Sequence, residues 1–416
     1  MTDYKLPCWF ALSGANYTNG SVANCPVNDE IMQELSDEFL TVSSFINSDR
    51  FKEQRLKLQR GEWPQGCESC RVREQNGTPS HRQGELARFN SSNYDFNTGE
   101  IAFAGLKTVE LRFSNLCNMA CLHCNDTQSS RWESKLKEYI PDELDAHYGL
   151  RQLDKSLRSH AIDRTHKLNL TDAEVQQIIL DLNTNFPYIE RIDFCGGEVL
   201  FQPAFYSALE LLHQHPNRNN IEIFFHTNFN ARFDHKYLAD LLKPFGKRTI
   251  KISIDSSKNT YSYFRTGDWE RLEYNINEYA KWDSSPQTRI GAVITTGIHQ
   301  VLDIKNTVAD IASLGLDSIK VSFVSYPDYL NPSNIKLHFA DHFAQQCELT
   351  RQQLKHNPDA VQAVNKIQQF VDKTPTNEHA WKGFIEYTRK ADQLWNKDFN
   401  KHYEHYTLND QEIVTR

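Results

Sequence analysis

Short apolar runs alternate with longer amphipathic stretches between about residues 107 and 324. The short runs are rich in β-branched and aromatic residues, which favours strands, whereas the longer stretches repeat apolar positions with the period of a helix. The predicted strands are 108–113, 191–195, 221–228, 249–255, 289–296 and 318–324. The predicted helices between them are 172–186, 204–215, 236–245, 269–282 and 303–314. Such alternation forms right-handed βαβ units, so the pattern predicts an α/β fold with a parallel sheet, built as a partial (β/α)6 barrel rather than a closed eightfold one.

Apolar and polar residues also alternate within most of these strands. Strands buried on both faces usually read as continuous aliphatic runs. Helices cover the outer face of such a barrel, so the polar set points into the lumen, where burying many charges in a dry core would be costly. We therefore expect a wet or ligand-filled lumen, unless the strand register is misplaced. The candidate substrate contacts are Glu110, Arg112, Asp193, Glu222, His226 and Lys251.

The regions on either side of the predicted barrel differ from it in their residue pattern. Residues 1–100 are irregular, with one helical stretch around 31–60 and too little aliphatic material for a core of their own. Residues 101–330 hold the predicted barrel, whose first unit is interrupted by a polar insertion at 127–170. Residues 331–416 read as a helical extension that either packs on the outside or covers the barrel. The sequence thus predicts three regions.

Charge and composition narrow the function classes. Lys and Arg number 46 against 54 Asp and Glu, a formal charge of −8 with both signs mixed along the chain, so nucleic-acid binding is not expected. The first residues do not resemble a secretory signal, and no apolar run approaches membrane-spanning length. We expect a soluble cytoplasmic protein. Its nine cysteines then point to metal or redox chemistry before disulfides.

Three cysteines stand as CxxxCxxC directly after the first predicted strand: Cys117, Cys121 and Cys124. Three thiolates on one short loop can hold three irons of a cubane cluster and leave the fourth iron without a protein ligand. In parallel barrels, chemistry is carried by loops at the carboxyl ends of the strands, and this loop is the first of them. A zinc site with His123 as fourth ligand is the alternative, although it would strain the loop.

This CxxxCxxC run resembles the signature of the radical S-adenosylmethionine (radical SAM) superfamily, and the resemblance covers about residues 105–325. It implies a catalytic [4Fe–4S] cluster whose open iron is chelated by SAM. It also implies reductive cleavage of SAM to a 5′-deoxyadenosyl radical that abstracts hydrogen from a substrate. A reductant such as flavodoxin or ferredoxin is then required.

Further residues match the same family in order along the chain. Gly196, Gly197 and Glu198 end the second strand and are similar to the family's GGE motif, which implies contact with the SAM ammonium. The resemblance implies that Ser253 and Asp255 contact the ribose of SAM and that Arg265 pairs with its carboxylate. It also implies that Thr227 and Asn228 lie near the cofactor. Each residue taken singly is also explained by a strand-end cap or a surface ion pair. His123 departs mildly from the family, which often has an aromatic residue before the third cysteine.

Four more cysteines fall in the N-terminal region. Cys8 and Cys25 flank Gly20 as C-x11-G-x4-C, and Cys67 with Cys70 forms a CxxC. These spacings resemble the auxiliary-cluster segment of the twitch and SPASM branches, which implies one auxiliary [4Fe–4S] cluster. The module precedes the barrel here, whereas in most relatives it follows. Zinc is the alternative for these four ligands.

Two cysteines remain, Cys195 and Cys347, and both are expected to be structural. The second cluster favours an oxidative reaction on a peptide or a small molecule, and mixed lumenal charge suits a zwitterionic or peptide-like substrate. Two other function classes stay open: a zinc-stabilised, non-catalytic binding protein, and an iron–sulfur electron carrier without SAM chemistry.

Overall fold

A computed structural model describes residues 5–18, 20–28, 33–75, 77, 79–138, 169–324, 327–409 and 412–415. Most of the insertion predicted at 127–170 lies outside these residues. The chain divides into two compact units. The first comprises Met1–Leu116, Ser156–Phe225 and Phe233–Thr249, and the second comprises Cys117–Lys155, His226–Arg232 and Ile250–Arg416.

Strands and helices alternate through the middle of the chain. The strands are β1 (Gly14–Thr18), β2 (Ser21–Ala23), β3 (Gln33–Glu34), β4 (Thr108–Arg112), β5 (Arg191–Cys195), β6 (Glu222–Thr227), β7 (Lys247–Ser253), β8 (Thr288–Thr296), β9 (Ser318–Phe323), β10 (Tyr406–Leu408) and β11 (Ile413–Thr415). The helices up to the middle of the chain are α1 (Trp9–Ser13), α2 (Val42–Phe45), α3 (Asp49–Arg60), α4 (Glu68–Gln75), α5 (His81–Gly84), α6 (Ser130–Glu138), α7 (Asp172–Asn185), α8 (Pro203–Leu212) and α9 (His235–Leu242). The later helices are α10 (Lys258–Arg265), α11 (Trp269–Trp282), α12 (Ile298–Leu302), α13 (Ile304–Ser313), α14 (Lys336–Gln353), α15 (Pro358–Lys373), α16 (Glu378–Trp395) and α17 (Phe399–His402).

The predicted α/β class is confirmed. Each of the six predicted strands and five predicted helices is present, with ends that differ by no more than about three residues. Local chemistry explains where the helices begin: Thr171 and Glu174 form a capping box before α7, and the Asp268 side chain accepts two backbone N–H groups at the start of α11.

In the first unit, parallel pairing joins β4, β5 and the beginning of β6. The register sets Glu110 opposite Asp193 and Arg112 opposite Cys195, so these polar side chains share one face. The other face carries Val109, which is fully buried. The alternation read from the sequence therefore separates an apolar face from a polar one.

The N-terminal region contributes strands that the sequence did not predict. Strand β1 pairs in parallel with β4, and β2 and β3 continue the sheet in antiparallel pairing. Aromatic packing contributes to the core of this region, where the rings of Tyr17 and Phe51 are each 5.5 Å from that of Phe45. Sheet pairing and aromatic packing thus help to hold a region that is poor in aliphatic residues.

A buried cation ties this region together. Arg55 is 0% exposed, and its guanidinium donates to the backbone oxygens of Ala11, Ile46 and Gly99 and to Asn47 Oδ1. Several charge-assisted hydrogen bonds from one side chain connect segments that are distant in sequence.

In the second unit, β8 and β9 pair in parallel, and Ile254 N donates to Val293 O. The predicted helical extension is confirmed as α14, α15 and α16, and Phe323 of β9 stacks on Phe370 of α15 with ring centroids 4.0 Å apart. The short β10–β11 hairpin was not predicted. None of the helices in the described part of the chain has the length and apolarity needed to cross a membrane.

Candidate functional site

The loop that carries Cys117, Cys121 and Cys124 follows β4 in sequence, and its peptide groups are held by side chains from elsewhere in the second unit. Thr266 Oγ1 accepts from Ala120 N at 2.7 Å, and Trp132 Nε1 donates to Cys121 O at 2.9 Å. Two more segments hold the next residue: Leu122 N donates to Phe264 O at 2.9 Å, and Tyr387 O–H donates to Leu122 O. The loop conformation is therefore preorganised by long-range hydrogen bonds.

None of the three cysteines on this loop forms a disulfide among the described residues, and two of them, Cys117 and Cys121, are buried. Burial raises the pKa of both Cys121 and Cys124. The nearby Cys121 and Cys117 thiols also raise the pKa of Cys124. The structure thus brings together the three sulfurs that the sequence singled out. Three cysteines on one short loop fit a cubane cluster with one open iron.

Asp255 and Arg265 form a buried ion pair in this unit. Asp255 Oδ1 also accepts from Thr295 N at 2.6 Å, and His123 Nε2 lies 3.8 Å from Asp255 Oδ2. The His123 ring stacks on Phe264 at 5.1 Å, and burial lowers the pKa of His123, which favours the neutral imidazole.

Two buried polar atoms at this place have no hydrogen-bond partner among the described residues: Arg265 Nε and His123 Nδ1. Buried donors and acceptors are almost always satisfied, so such atoms indicate a bound group or water. Arg265 therefore keeps a donor for a further partner while it pairs with Asp255. A polar cofactor bound beside the three thiols would supply hydrogen-bond partners for these atoms.

Backbone strain occurs where the loops of this unit carry their candidate residues. Phe229, Asp255 and Thr266 all adopt positive φ, between 52° and 61°. Such conformations are unfavourable for residues other than glycine and persist at functional sites when the surroundings impose them. Thr227 Oγ1 stabilises one of them by accepting from Phe229 N at 2.9 Å.

Asn228 and Ser253 lie at the ends of their strands as predicted. Asn228 Nδ2 donates to Asn118 Oδ1 at 2.8 Å, and its Oδ1 accepts from Asn230 N. Asn228 is thus joined directly to the cysteine loop. Ser253 is half-buried at the last position of β7.

The Gly-Gly-Glu segment lies in the first unit. Gly196 and Gly197 have φ of +88° and +52°. A Cβ on Gly197 would lie 2.2 Å from Leu116 O, so the backbone there leaves no room for a side chain. Glu198 is 1% exposed; its N–H donates to Leu116 O, and its carboxylate accepts from Leu200 N at 3.1 Å. The role of Glu198 toward an ammonium group stays a prediction.

Gln202 is a residue that sequence reasoning missed. Its Nε2 donates to Gly196 O at 2.8 Å, and Ser114 O and Leu116 O are within 3.4 Å. One buried amide therefore connects the glycine pair to the segment that leads into the cysteine loop. In the sequence, only its position four residues after Glu198 pointed to Gln202. Trp132 and Tyr387 likewise carry little in the sequence that would indicate their contacts with the cysteine loop.

Asp193 and Glu222, two candidate substrate contacts, lie beside a cation that the sequence analysis did not name. Arg191 pairs with Asp193 through two hydrogen bonds of 2.5 and 3.0 Å, and its Nη1 is 3.8 Å from Glu222 Oε2. Burial raises the pKa of Asp193 to about 6 despite Arg191. Burial also disfavours ionised Glu222, but hydrogen bonds from Thr249 and Lys247 outweigh it and lower that pKa.

Glu110 and Arg112 lie near Cys195 on the polar face of the first unit. The Cys195 thiol donates to Glu110 Oε1 at 3.2 Å, and burial raises its pKa. A Cβ on Gly196 would lie 2.3 Å from Arg112 Cγ. Cys195 thus has polar neighbours on this face.

The other two substrate candidates lie in the second unit. Lys251 is buried and donates to Ser318 Oγ at 3.0 Å, and a Cβ on Gly291 would lie 2.5 Å from its Nζ. His226 is exposed near the end of β6. A glycine at 291 therefore makes space for the Lys251 side chain.

One cavity of the first unit is lined by all four N-terminal cysteines. Its lining includes Cys8, Cys25, Cys67, Cys70, Trp63 and Arg82. Burial raises the pKa of Cys8 to about 11 and also raises the pKa of Cys25. The other three thiols lie close enough to Cys25 to raise its pKa as well. The four cysteines of the spacing C-x11-G-x4-C…CxxC therefore line one cavity, and four is the number of thiolates that a complete cubane cluster takes.

Within the described residues, no group of three or more His, Cys, Asp or Glu side chains has the geometry to hold a single metal ion. Cys347 is fully buried on α14.

Comparison with known proteins bears on the segment from the end of β4 to α12, which includes the cysteine loop. Residues 111–299 match the family model described as Radical SAM superfamily. No curated protein matches the chain.

Several solved structures are similar at low identity. Native anSMEcpe with bound AdoMet is 13% identical, with 57% of this chain and 62% of that chain covered and a TM-score of 0.36. Streptococcus suis SuiB bound to S-adenosylmethionine is 13% identical, with 74% and 64% covered and a TM-score of 0.37. Escherichia coli HemN, a coproporphyrinogen III oxidase described as a radical SAM enzyme, is 12% identical, with 74% of this chain and 55% of that chain covered and a TM-score of 0.33. The chain spans less than two thirds of the length of each of these three chains. The family-model match begins at the end of β4 and includes all three loop cysteines, so residues 111–299 are similar to the radical SAM superfamily.

Proposed function

We propose that the protein is a radical SAM enzyme in which Cys117, Cys121 and Cys124 hold a [4Fe–4S] cluster. The observation that carries this proposal is a set of three cysteines, none of them in a disulfide among the described residues, on one short loop whose backbone is held by distant side chains. When bound, the cluster and SAM supply a 5′-deoxyadenosyl radical that abstracts hydrogen from the substrate.

The residues that match the family motifs bind and orient SAM in this proposal. Arg265 offers its unpartnered Nε to the SAM carboxylate, while its ion pair with Asp255 keeps the guanidinium in place. Gly196 and Gly197 admit the cofactor close to the backbone, and Glu198 accepts from its ammonium group. Ser253 and Asp255 contact the ribose, and Thr227 and Asn228 shape the adjoining loop.

The four N-terminal cysteines hold an auxiliary [4Fe–4S] cluster, as in the twitch and SPASM branches. Four thiols that line one cavity support this part of the proposal. When bound there, such a cluster would supply an acceptor for the electron left on the substrate after hydrogen abstraction, so we expect an oxidative outcome. A flavodoxin or ferredoxin supplies electrons, and a cytoplasmic location is in keeping with this partner.

A peptide-like or zwitterionic small molecule is the proposed substrate class. Carboxylates and guanidinium groups occur together on the polar face of the first unit, where Arg191 contacts Asp193 and Glu222. Such mixed charge can bind a molecule that carries both ammonium and carboxylate groups.

Anaerobic reconstitution with iron and sulfide tests the proposal. We expect about eight irons per chain from two cubane clusters, together with 5′-deoxyadenosine release when SAM and a strong reductant are added. Cys117→Ala should abolish that release, whereas Cys347→Ala, which removes a thiol on α14, should retain it. A colourless protein with stoichiometric zinc would support the binding-protein alternative, and clusters without SAM cleavage would support the electron carrier. A substrate-dependent product about two mass units lighter than its substrate would support the oxidative outcome, and an unchanged mass would refute it.

A further inference from the structure

The four-cysteine cavity has one cation among the described side chains that line it, Arg82. Arg82 is 8% exposed. Its guanidinium lies 5.5 Å from the centre of the Trp63 ring, which also lines the cavity. A buried cation beside four thiols is positioned to interact with whatever charge those thiols acquire.

Arg82 also connects the two halves of the cysteine set. Its Nε and Nη2 donate to Glu74 at 3.0 and 2.5 Å, and its Nη1 donates to Pro7 O at 2.7 Å. Glu74 is four residues after Cys70 on α4, so both side chains lie on one face of that helix. Pro7 directly precedes Cys8. One planar guanidinium thus joins the helix that carries Cys70 to the segment that carries Cys8.

The geometry of this link is specific to arginine. Two parallel bonds to a carboxylate and a third to a carbonyl use the fixed fork of the guanidinium, which a lysine cannot reproduce. Ser80 Oγ adds a bond of 2.5 Å to the same Glu74 oxygen, so the carboxylate is itself held in place. The link is therefore rigid on the side of α4.

We infer that Arg82 is a positioning residue of the four-cysteine centre that holds Cys8 and Cys70 at their ligand positions and raises the reduction potential of the cluster bound there. This inference rests on the proposed auxiliary [4Fe–4S] cluster. Four thiolates carry more negative charge than the cubane core neutralises, and reduction adds another electron. A nearby positive charge in a poorly solvated place stabilises the reduced form more than the oxidised form.

The test uses the reconstituted protein with Cys117→Ala, Cys121→Ala and Cys124→Ala, so that the auxiliary centre alone contributes to the spectra. Iron content and a redox titration followed by electron paramagnetic resonance are measured for this background and for added Arg82→Gln, Arg82→Lys and Arg71→Gln. Arg71 is the matched control because it is adjacent to Cys70 and forms an analogous two-bond pair with Glu68, but it is only half-buried and is not among the residues that line the cavity.

Arg82→Gln should lower the reduced-to-oxidised ratio at the background's midpoint potential by about threefold or more, the scale of one unscreened charge about 10 Å away. It should also lower the iron retained after gel filtration. Arg82→Lys should restore most of the potential but not the iron retention, because it keeps the charge and loses the fork. Arg71→Gln should match the background in both measurements.

An unchanged potential and iron content in Arg82→Gln would overturn the inference, as would an equal effect from Arg71→Gln. If Arg82→Gln retains no centre at all, Arg82→Lys decides: normal iron retention in that variant would refute the positioning role. A background protein that binds zinc and no iron would refute the auxiliary cluster itself, a failure recognised before any Arg82 variant is compared.

Discussion

Gly197→Ala is the most informative perturbation of the proposed SAM site, because the structure gives two separate reasons why a side chain cannot be accommodated. The backbone at Gly197 has φ of +52°, which an alanine adopts only at a cost of about 1–2 kcal/mol. Its Cβ would also meet Leu116 O at 2.2 Å and the backbone carbons of Asn115 and Leu116 at 2.8 Å. These are main-chain atoms, which cannot rotate away as a side chain would.

The magnitude follows from these two contributions. Leu116 O would have to retreat by about 1 Å to reach ordinary contact distance, and such overpacking costs about 1–3 kcal/mol. Glu198 N and Gln202 Nε2 both donate to this oxygen, so the shift would disturb their bonds as well. We expect a total loss of about 2–5 kcal/mol in the free energy of unfolding, and SAM binding weakened at least about tenfold.

Gly315→Ala separates the two contributions. Gly315 has φ of +65°, but nothing lies within 4 Å of a Cβ built there. This control should therefore lose only the conformational contribution of about 1–2 kcal/mol and bind SAM normally. Urea unfolding measures stability, and equilibrium dialysis with the reconstituted protein measures SAM affinity. Equal destabilisation in the two variants, or Gly197→Ala with unaltered SAM binding, would refute the reasoning.

Three further predictions concern other parts of the chain. Tyr387→Phe leaves Leu122 O without its donor and should speed loss of the loop cluster's visible absorbance in air; the exposed Tyr188→Phe is the control, and equal lifetimes would contradict the bracing role. Arg55→Met leaves three backbone oxygens without a buried donor and should lower the free energy of unfolding by about 3 kcal/mol or more in urea titrations; a loss below about 1 kcal/mol would contradict this. Burial raises the pKa of Asp303 to about 6 from its usual value near 4, so the native state binds more protons than the unfolded chain between these values and wild-type stability should fall as pH rises through them. Asp303→Asn should weaken this fall, and parallel stability–pH curves would contradict the assignment.

Local pattern was sufficient to predict much of this protein. The alternation of apolar runs placed six strands and five helices, because burial of one face imposes a period of two on strands and 3.6 on helices. The CxxxCxxC spacing placed three thiols on one loop, since ligands a few residues apart remain neighbours in most conformations of a short loop. Both inferences depend on residues close together in the chain.

The groups that support the site could not be predicted in this way. Tyr387 donates to a residue 265 positions away, and Gln202 reaches three carbonyls whose chain positions carry no common signal. Strand β1 lies in a segment rich in Gly and Asn, and its pairing with β4 depends on a partner about ninety residues further along the chain. Such contacts are chosen by packing of the whole chain, which sequence periodicity does not report.

Sequence alone thus determined which chemistry is available: three sulfurs on a strand-end loop, a glycine pair after the second strand, and four more cysteines in two spaced pairs. Tertiary structure decided how these groups are held. It placed Cys8 and Cys70 on one cavity, with Arg82 hydrogen-bonded to Glu74 and to Pro7 O. It also paired Arg265 with Asp255 and left Arg265 Nε without a partner among the described residues. The physical reason is that ligand type and spacing are local properties, whereas burial, charge pairing and the satisfaction of backbone groups depend on segments far apart in sequence.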